Sequence, residues 1–315
     1  MPAAPAPTIV HGSDAVPASP PGTPGPVITI GNFDGVHRGH RALIDRTIEV
    51  ARQLGAPAGL LTFDPAPRDV IRPDNGVPRI QSLADKLHTL GTTGLELVVV
   101  EPFTLATASQ DPTEFATQVL RDRLGVSGLV LGYDFRFGRK RAGNAALVRE
   151  VLDVPVHEVE ALVERGRPVS SSRIREAVAE GDLPTATHLL GRPHLLCGTV
   201  SHGDARGRTL GFPTANIFTE TPLVPPFGVY AVRAKVDGRW VDGVANWGMR
   251  PMWALERPLL EVHLLDFAGD LYGRRLPVAL VQRLRGEERF DSIEALRAAI
   301  DADIDAARVA LAATP

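Results

Sequence analysis

Near residue 190 the grammar of the chain changes, and no single fold accommodates both sides of the change. Before it, short apolar runs alternate with stretches of helical spacing. Val27-Ile28-Thr29-Ile30 reads as a buried strand ended by Gly31, and residues 38–54 carry apolar residues at helical intervals (Ala42, Leu43, Ile44, Ile48, Ala51, Leu54) up to Gly55. Gly59 to Phe63, Leu95 to Val100 and Leu129 to Gly132 read as further strands; Ser82 to Leu90 and Pro112 to Leu124 read as helices. Strand, helix, strand, helix at this spacing predicts an α/β, doubly wound parallel sheet over residues 27–190. Ser171 to Glu180 and Leu183 to Leu190 are helical and close this half, and Gly191-Arg192-Pro193 serves as a linker.

Beyond the linker, apolar runs follow one another with Gly and Pro clusters between them: Leu195–Val200, Gly228–Val236, Arg239–Ala245, Leu259–Phe267 and Leu276–Arg283. That pattern predicts a small antiparallel β-barrel over residues 194–315. A helix over 291–312 ends the chain. In it Asp291 and Glu294 resemble a capping pair, and Ile293, Leu296, Ile300, Ile304 and Ala307 line one face. Residues 1–26 form a Pro/Ala-rich segment, disordered over 1–7, with a short strand at Thr8 to His11. A chain of 315 residues has room for two such domains.

Composition narrows the partners. The net charge of −3 lacks the basic excess that nucleic acid or an anionic membrane calls for, so neither is expected. No run of about 18 apolar residues occurs, and the first 26 residues hold no Arg or Lys to start a targeting signal, which leaves the cytoplasm as the default compartment. The one cysteine, Cys197, lies in the apolar run Leu195-Leu196-Cys197 and reads as a small buried side chain. The expected partners are small-molecule substrates, with the protein a monomer or weak homo-oligomer.

The first chemical constellation is Gly31-Asn32-Phe33-Asp34-Gly35-Val36-His37-Arg38-Gly39-His40, which follows a buried strand and opens a helix. Doubly wound sheets bind ligands at the carboxyl ends of their strands. Gly31 and Gly35 permit tight turns and close approach of a phosphate, and the helix start supplies N–H donors and partial positive charge. His37 and His40 fall on one side of the first turn. Two imidazole donors there suit charge growing on an α-phosphate as pyrophosphate leaves, with no covalent step. An exposed polar helix start, or half of a metal site, is the blander reading. Gly132-Tyr133-Asp134-Phe135-Arg136-Phe137-Gly138 and the basic run Arg139-Lys140-Arg141 supply aromatics for stacking and charge for phosphate, or else a solvated loop. Ser170, Ser171 and Ser172 before Arg175 read as an ordinary N-cap that, in context, becomes a second phosphate clamp.

The second constellation joins two strands of the other half: Gly203-Asp204-Ala205-Arg206-Gly207-Arg208-Thr209-Leu210-Gly211-Phe212-Pro213-Thr214-Ala215-Asn216. Gly203, Gly207 and Gly211 with Arg208 suit a loop folded over phosphates, and the run is not a Walker loop. Thr214 and Asn216 share a face of an extended segment and offer neutral oxygens acceptable to Mg²⁺ beside ATP phosphates and water. Transfer of a phosphoryl group to an alcohol also calls for a carboxylate base. Glu261 sits in the apolar run Leu259-Leu260-Glu261-Val262-His263-Leu264, where a charge is costly without a purpose or a partner. A salt bridge or an edge-of-barrel position is the alternative for Glu261, and His263 reads as structural.

Together these residues resemble the bacterial bifunctional riboflavin kinase / FAD synthetase family, over nearly the whole chain from about Val27 to Arg308. The segments Ile30 to His40, Gly211 to Asn216, Pro226 to Val232, Leu260 to Leu264 and Asp270 to Arg274 carry the match. The resemblance implies an FMN adenylyltransferase domain over 27–190 and a riboflavin kinase domain over 194–315, both using ATP. It implies ATP at His37, His40, Ser170, Ser171 and Arg175, and Asp134 near the FMN and nucleotide pocket. Gly31, Phe33, Gly35, Gly203, Gly207, Arg208, Gly211 and Pro213 would line the ATP and flavin sites. In the kinase it implies Mg²⁺ on Thr214 and Asn216, with Glu261 as base toward the ribityl 5′-hydroxyl. Three positions depart from the family pattern: Ser172 stands for Thr, Ala66 for the His of Thr-Phe-x-Pro-His-Pro, and Met252 for the Thr ending Asn-x-Gly-x-Arg-Pro-Thr, where Met249 also falls. Two alternatives stay open at this level, a flavin-binding sensor or carrier without turnover and a nucleotidyltransferase acting on another phosphate ester.

Overall fold

The structure, a computed structural model, describes residues 5–203, 211–252 and 255–314. The chain divides into two compact units, residues up to 77 together with 83–170, and residues 78–82 together with the chain from 171 onward.

The first unit holds β1 Thr8–His11, β2 Val27–Ile30, α1 Arg38–Leu54, β3 Ala58–Asp64, α2 Pro67–Ile71, α3 Leu83–Leu90, β4 Leu97–Pro102, α4 Leu105–Ser109 and α5 Pro112–Glu114. After a wide helix over Phe115–Arg123 come β5 Gly128–Gly132, α6 Ala145–Val151, β6 Val156–Val159 and the small hairpin β7 Val163–Glu164, β8 Arg167–Pro168. Six strands pair in the order β1-β4-β3-β2-β5-β6, and every pairing is parallel. Both faces are covered, which is why β2 is a four-residue run buried throughout. Strand periodicity sorts its residues. Ile28 and Ile30 join Leu61, Leu129 and Leu120 on one face, and Val27 joins Leu60, Val130, Ile44 and Leu90 on the other. From β2 the chain builds β3 and β4 to one side and then crosses to β5 on the other. The carboxyl end of β2 is therefore the switch point where such sheets open a crevice.

Two sequence expectations needed revision here. The helix expected over 112–124 is α-helical only in α5. From Phe115 to Arg123 it widens to a π-helix, and Leu124 N–H donates to Val119 O, five residues back, at 3.0 Å. Pro7, expected in a disordered lead, is buried, because β1 begins at the next residue and Thr8 N–H already bonds Glu96 O at 2.8 Å. β1 itself is present at the edge beside β4. Buried Glu101 accepts from Ser13 N–H at 2.6 Å and Ser13 Oγ at 3.1 Å, pinning the turn after β1.

The second unit holds α7 Ser171–Glu180, α8 Leu183–Leu190, β9 His194–Ser201, β10 Ala215–Thr219, β11 Gly228–Val236, β12 Arg239–Met252, β13 Leu255–Leu264, β14 Arg275–Arg285 and α9 Ile293–Ala312. The six strands close into an antiparallel barrel in the order β10-β13-β12-β11-β14-β9. Its core holds Tyr230, Trp247, Leu260, Val262, Leu196, Val278 and Leu280, and Leu183 of α8 packs into the same cluster. α7 and α8, read from the sequence as the end of the first half, group with the barrel. Trp247 Nε1–H donates to Pro225 O at 3.1 Å, so the large buried ring leaves no polar atom stranded.

α9 is capped by Ser292, whose Oγ accepts Ala295 N–H at 3.0 Å, rather than by an Asp291–Glu294 pair. Its docked face is also rotated from expectation. Ala307, Ala310 and Leu311 pack on Val229, Ala231 and Val244, with Ile304 partly buried, while Ile293 is 64% exposed. Asp303 pairs with Arg285 through two bonds of 2.9 and 2.8 Å, and this holds the Arg285 pKa above its ordinary value.

Candidate functional site

In the first unit the residues from Gly31 to His40 run out of the carboxyl end of β2 and into α1. Gly31 N–H bonds Leu61 O at 3.0 Å, continuing the sheet for one residue. The chain then turns sharply. Phe33, Gly35 and Val36 all take positive φ (48°, 85° and 41°), and Val36 N–H donates to Phe33 O at 3.1 Å. Positive φ at a β-branched valine is costly and persists only where the surroundings enforce it. Phe33 and Val36 are both buried, so packing supplies that enforcement.

His37 caps α1. Its Nδ1 accepts the backbone N–H of His40 at 3.2 Å, and the two rings stack with centroids 3.6 Å apart and planes 15° from parallel. Phe33 leans on His40 at 5.1 Å. The glycine between the histidines is dictated by space. A Cβ on Gly39 would lie 3.2 Å from His37 Cε1, His37 Nδ1 and Val169 O alike. Arg38 ion-pairs with Glu164 on β7, which ties down a cation otherwise misplaced at a helix N-terminus. The site thus combines a helix mouth, a left-handed turn and two stacked imidazoles, of which His37 is buried.

The remaining sequence candidates of this unit fall nearby or in part. Asp134 is exposed in the turn just past β5, closed by Phe135 N–H to Gly132 O at 2.9 Å, and β5 neighbours β2 in the sheet. Phe135 and Phe137, expected to stack on a ligand, instead stack on each other at 5.3 Å and pack onto the core beside Phe115. Burying two rings there leaves Tyr133, 48% exposed, as the accessible aromatic of that loop. Ser170 ends this unit. Ser171 and Arg175 lie on α7 of the other, where Arg175 Nε–H donates to Pro78 O at 2.7 Å.

Sequence reasoning passed over Lys86. Its side chain is buried, and Nζ lies 3.0 Å from Thr62 Oγ1 and 3.3 Å from the carbonyl of Asn32 inside the turn. A buried lysine is rare enough to mark a position, but its signal in the sequence is one cation on a helix.

In the barrel unit, register builds the site. Asn216 stands opposite Glu261 and, on its other side, opposite Ser201; Glu261 stands opposite Asn246. Ser201, Asn216, Glu261 and Asn246 therefore form one row across β9, β10, β13 and β12, with neighbouring Cβ atoms about 5 Å apart. Ile217, Leu260, Val262, Ala245 and Trp247 point into the barrel, so the polar row lies on its outer wall. Asn246 begins the segment Asn246 to Met252, and the register gives it a place beside Glu261.

His263 positions the approach to this row. Its Nδ1–H donates to Pro213 O at 2.8 Å and its ring meets Phe212 edge-on at 5.8 Å, fixing the segment that delivers Thr214 to β10. Gly203 is required by Asn216: a Cβ there would lie 2.0 Å from Nδ2 and 3.5 Å from Oδ1, so the amide nitrogen faces Gly203 and the carbonyl oxygen points away. Gly211 takes φ +92° at the other end of the loop. Gly207 and Arg208 lie outside the described residues. No group of three or more His, Cys, Asp or Glu side chains among the described residues is arranged to hold a metal.

Comparison with known proteins matches each unit to a family. The model of FAD synthetase matches residues 20–173, and that of riboflavin kinase matches residues 190–311. The bifunctional riboflavin kinase/FMN adenylyltransferase of Pseudomonas fluorescens is 44% identical over 293 residues, covering 92% of this chain and 94% of the relative. Proteins of the same description from Escherichia coli (strain K12) and Bacillus subtilis (strain 168) are 40% and 38% identical, covering 89% and 88% of this chain and 90% of each relative. A solved structure described as a macrolide-efflux protein from Streptococcus pneumoniae aligns with a TM-score of 0.85 at 29% identity, over 96% of this chain and 98% of that one. Among the described residues no helix is long and apolar enough to cross a membrane. With the stacked histidines in a unit that matches FAD synthetase and the Glu261 row in a unit that matches riboflavin kinase, in that order and over most of its length, this chain belongs to the bifunctional riboflavin kinase/FAD synthetase family.

Proposed function

We propose that the chain makes FAD from riboflavin in two ATP-dependent steps, phosphorylation of riboflavin to FMN by the barrel unit and adenylylation of FMN by the parallel-sheet unit. The observation that carries this reading is the presence of two separate polar constellations, one in each unit, each inside the matching family model.

For adenylylation, the FMN phosphate attacks the α-phosphorus of ATP and pyrophosphate departs. His37 accepts a hydrogen bond at Nδ1, so a neutral His37 carries its proton on Nε2 and presents a donor. With His40 stacked on it and the first N–H groups of α1 beside it, that donor suits oxygens gaining charge in the transition state. Gly31, Phe33 and Gly35 shape the turn that admits the phosphates, and Asp134 borders the crevice at β5. The family pattern also assigns Ser170, Ser171 and Arg175 to ATP, an assignment that rests on the sequence match.

For phosphorylation, Glu261, with Asn216 and Asn246 opposite it on the neighbouring strands, takes the proton of the ribityl 5′-hydroxyl as that oxygen bonds the γ-phosphorus of ATP and ADP departs. Thr214 and Asn216 would hold Mg²⁺. The fit rests on the Asn216 carbonyl turned away from Gly203 and on a neutral-oxygen donor set. When bound, the ion would offset phosphate charge. Gly203, Gly211 and Pro213 shape the loop over the phosphates, with Gly207 and Arg208 between them in sequence. Ala66, where the family pattern carries an imidazole, caps α2 without a side-chain bond. We assign both activities to the cytoplasm.

Incubating the purified chain with riboflavin, ATP and Mg²⁺ tests the proposal. FMN should appear first and FAD second, with pyrophosphate released only in the second step. FMN that accumulates without FAD would remove the role given to the first unit.

A further inference from the structure

Lys86 sits on α3, in a stretch whose apolar residues Leu83, Leu87 and Leu90 face the core of the first unit. Its own side chain also turns inward and is 8% exposed. Three bonds form a closed triangle there: Lys86 Nζ to Thr62 Oγ1 at 3.0 Å, Lys86 Nζ to Asn32 O at 3.3 Å, and Thr62 Oγ1 to Asn32 O at 3.1 Å. Thr62 is itself fully buried at the carboxyl end of β3. The carbonyl of Asn32 thus receives two donors from two different elements, at the residue where β2 gives way to the turn.

The next residue, Phe33, is left-handed, and so are Gly35 and Val36. A turn with non-glycine residues in that region relaxes unless its ends are held. At its far end the turn is held by His37, whose ring accepts the His40 N–H. At its near end it is held by the Lys86–Thr62 pair. At a core-facing position of α3 an apolar residue would dock the helix without the cost of burying an ammonium.

We infer that Lys86 is a positioning residue for nucleotide binding, fixing through the Asn32 carbonyl the Phe33–Val36 turn that admits the phosphates of ATP. The inference rests on the reading that this unit adenylylates FMN. It acts by holding the backbone of a turn that binds phosphate, so its loss should appear as weaker ground-state binding of ATP rather than slower chemistry.

The test uses full-length protein. FAD formation from FMN is measured against ATP concentration for wild type, Lys86→Met, Thr62→Val and the double variant. Riboflavin phosphorylation and thermal melting are followed in the same preparations. Lys86→Met keeps the length and the apolar stem but cannot donate. It should raise KM for ATP by about tenfold and leave kcat within about threefold. Thr62→Val should raise KM by about two- to fivefold, and the double variant should be no worse than Lys86→Met, because both donors act through one carbonyl. Riboflavin phosphorylation should be unchanged throughout. A folded Lys86→Met whose KM for ATP stays within about twofold of wild type overturns the inference. If Lys86→Met does not fold, Thr62→Val decides, and an unchanged KM there overturns it equally. A wild-type chain that forms no FAD sinks the proposed activity of the unit instead, which keeps the two failures apart.

Discussion

The imidazole of His37 lies 3.6 Å from that of His40 and accepts, through Nδ1, the backbone N–H of the same residue. The bond fixes the tautomer of a neutral His37, since a ring nitrogen that accepts cannot also carry the proton, and the stacking sets the direction of the pair. A neutral His37 then carries its proton on Nε2, with the ring of His40 held against it.

His37→Ala and His40→Ala should each lower FAD formation by about 10²–10³-fold, the usual range for removing one transition-state donor. FMN formation by the same preparations should stay near wild type, because the Glu261 row lies in the other unit. Chromatographic separation of FMN and FAD reads both at once. Equal loss of both products from a folded variant would contradict two independent sites.

Gly39→Ala separates stability from activity. Alanine gains up to about 1 kcal/mol of helix propensity over glycine. Its Cβ, however, would sit 3.2 Å from the His37 ring and from the backbone oxygen of Val169, closer than carbon settles without a shift. The ring is the movable partner, so it should tilt. The expected result is a melting temperature within a few degrees of wild type and FAD formation down by about tenfold or more. A fully active Gly39→Ala would show that the ring orientation is not used.

The first of these sites was legible because its parts are contiguous: strand, turn and helix start occupy Val27 to His40 without interruption. The barrel site was legible in its residues but not in its geometry. β10 went unread as a strand because Pro213, Thr214 and Asn216 look like loop residues, and only pairing with β13 and β9 makes Asn216 the neighbour of Glu261. Asn246 joins by the same register. Lys86 was not legible at all, since a lysine on an amphipathic helix normally reaches water, and what turns it inward are oxygens 24 and 54 residues away. The aromatics of the loop after β5 misled for the converse reason: Phe135 and Phe137 have a hydrophobic use close at hand, on Phe115.

Glu261→Gln should slow riboflavin phosphorylation by about 10²–10⁴-fold, since the amide keeps the shape and cannot take the proton. Asn246→Ala should do less, about tenfold, by letting the carboxylate move within its row. FAD formation from supplied FMN should be unaffected in both. Single-turnover assays with riboflavin, and separate assays with FMN, distinguish these outcomes; a Glu261→Gln chain with near-normal phosphorylation would reduce Glu261 to a structural residue.

His194 sets a pH dependence that has nothing to do with catalysis. It opens β9, is fully buried, and donates from Nε2 to Leu223 O at 2.9 Å. Burial, aided by the charge of Arg192, pushes its pKa down to about 4 from an ordinary 6.5. Above pH 6.5 the ring is neutral whether the chain is folded or unfolded, and stability does not depend on it. As pH falls below 6.5, the unfolded chain binds a proton that the folded chain refuses, so stability declines until about pH 4. Between pH 7.5 and pH 5 this should remove about 2 kcal/mol. Carboxylates titrate over part of the same range, so the informative quantity is the difference from His194→Gln, which keeps a donor for Leu223 and has no proton to bind. Urea unfolding of both proteins at pH 7.5 and pH 5 should show the wild type losing more stability than the variant by that amount. Equal losses would mean that His194 is protonated in the folded barrel.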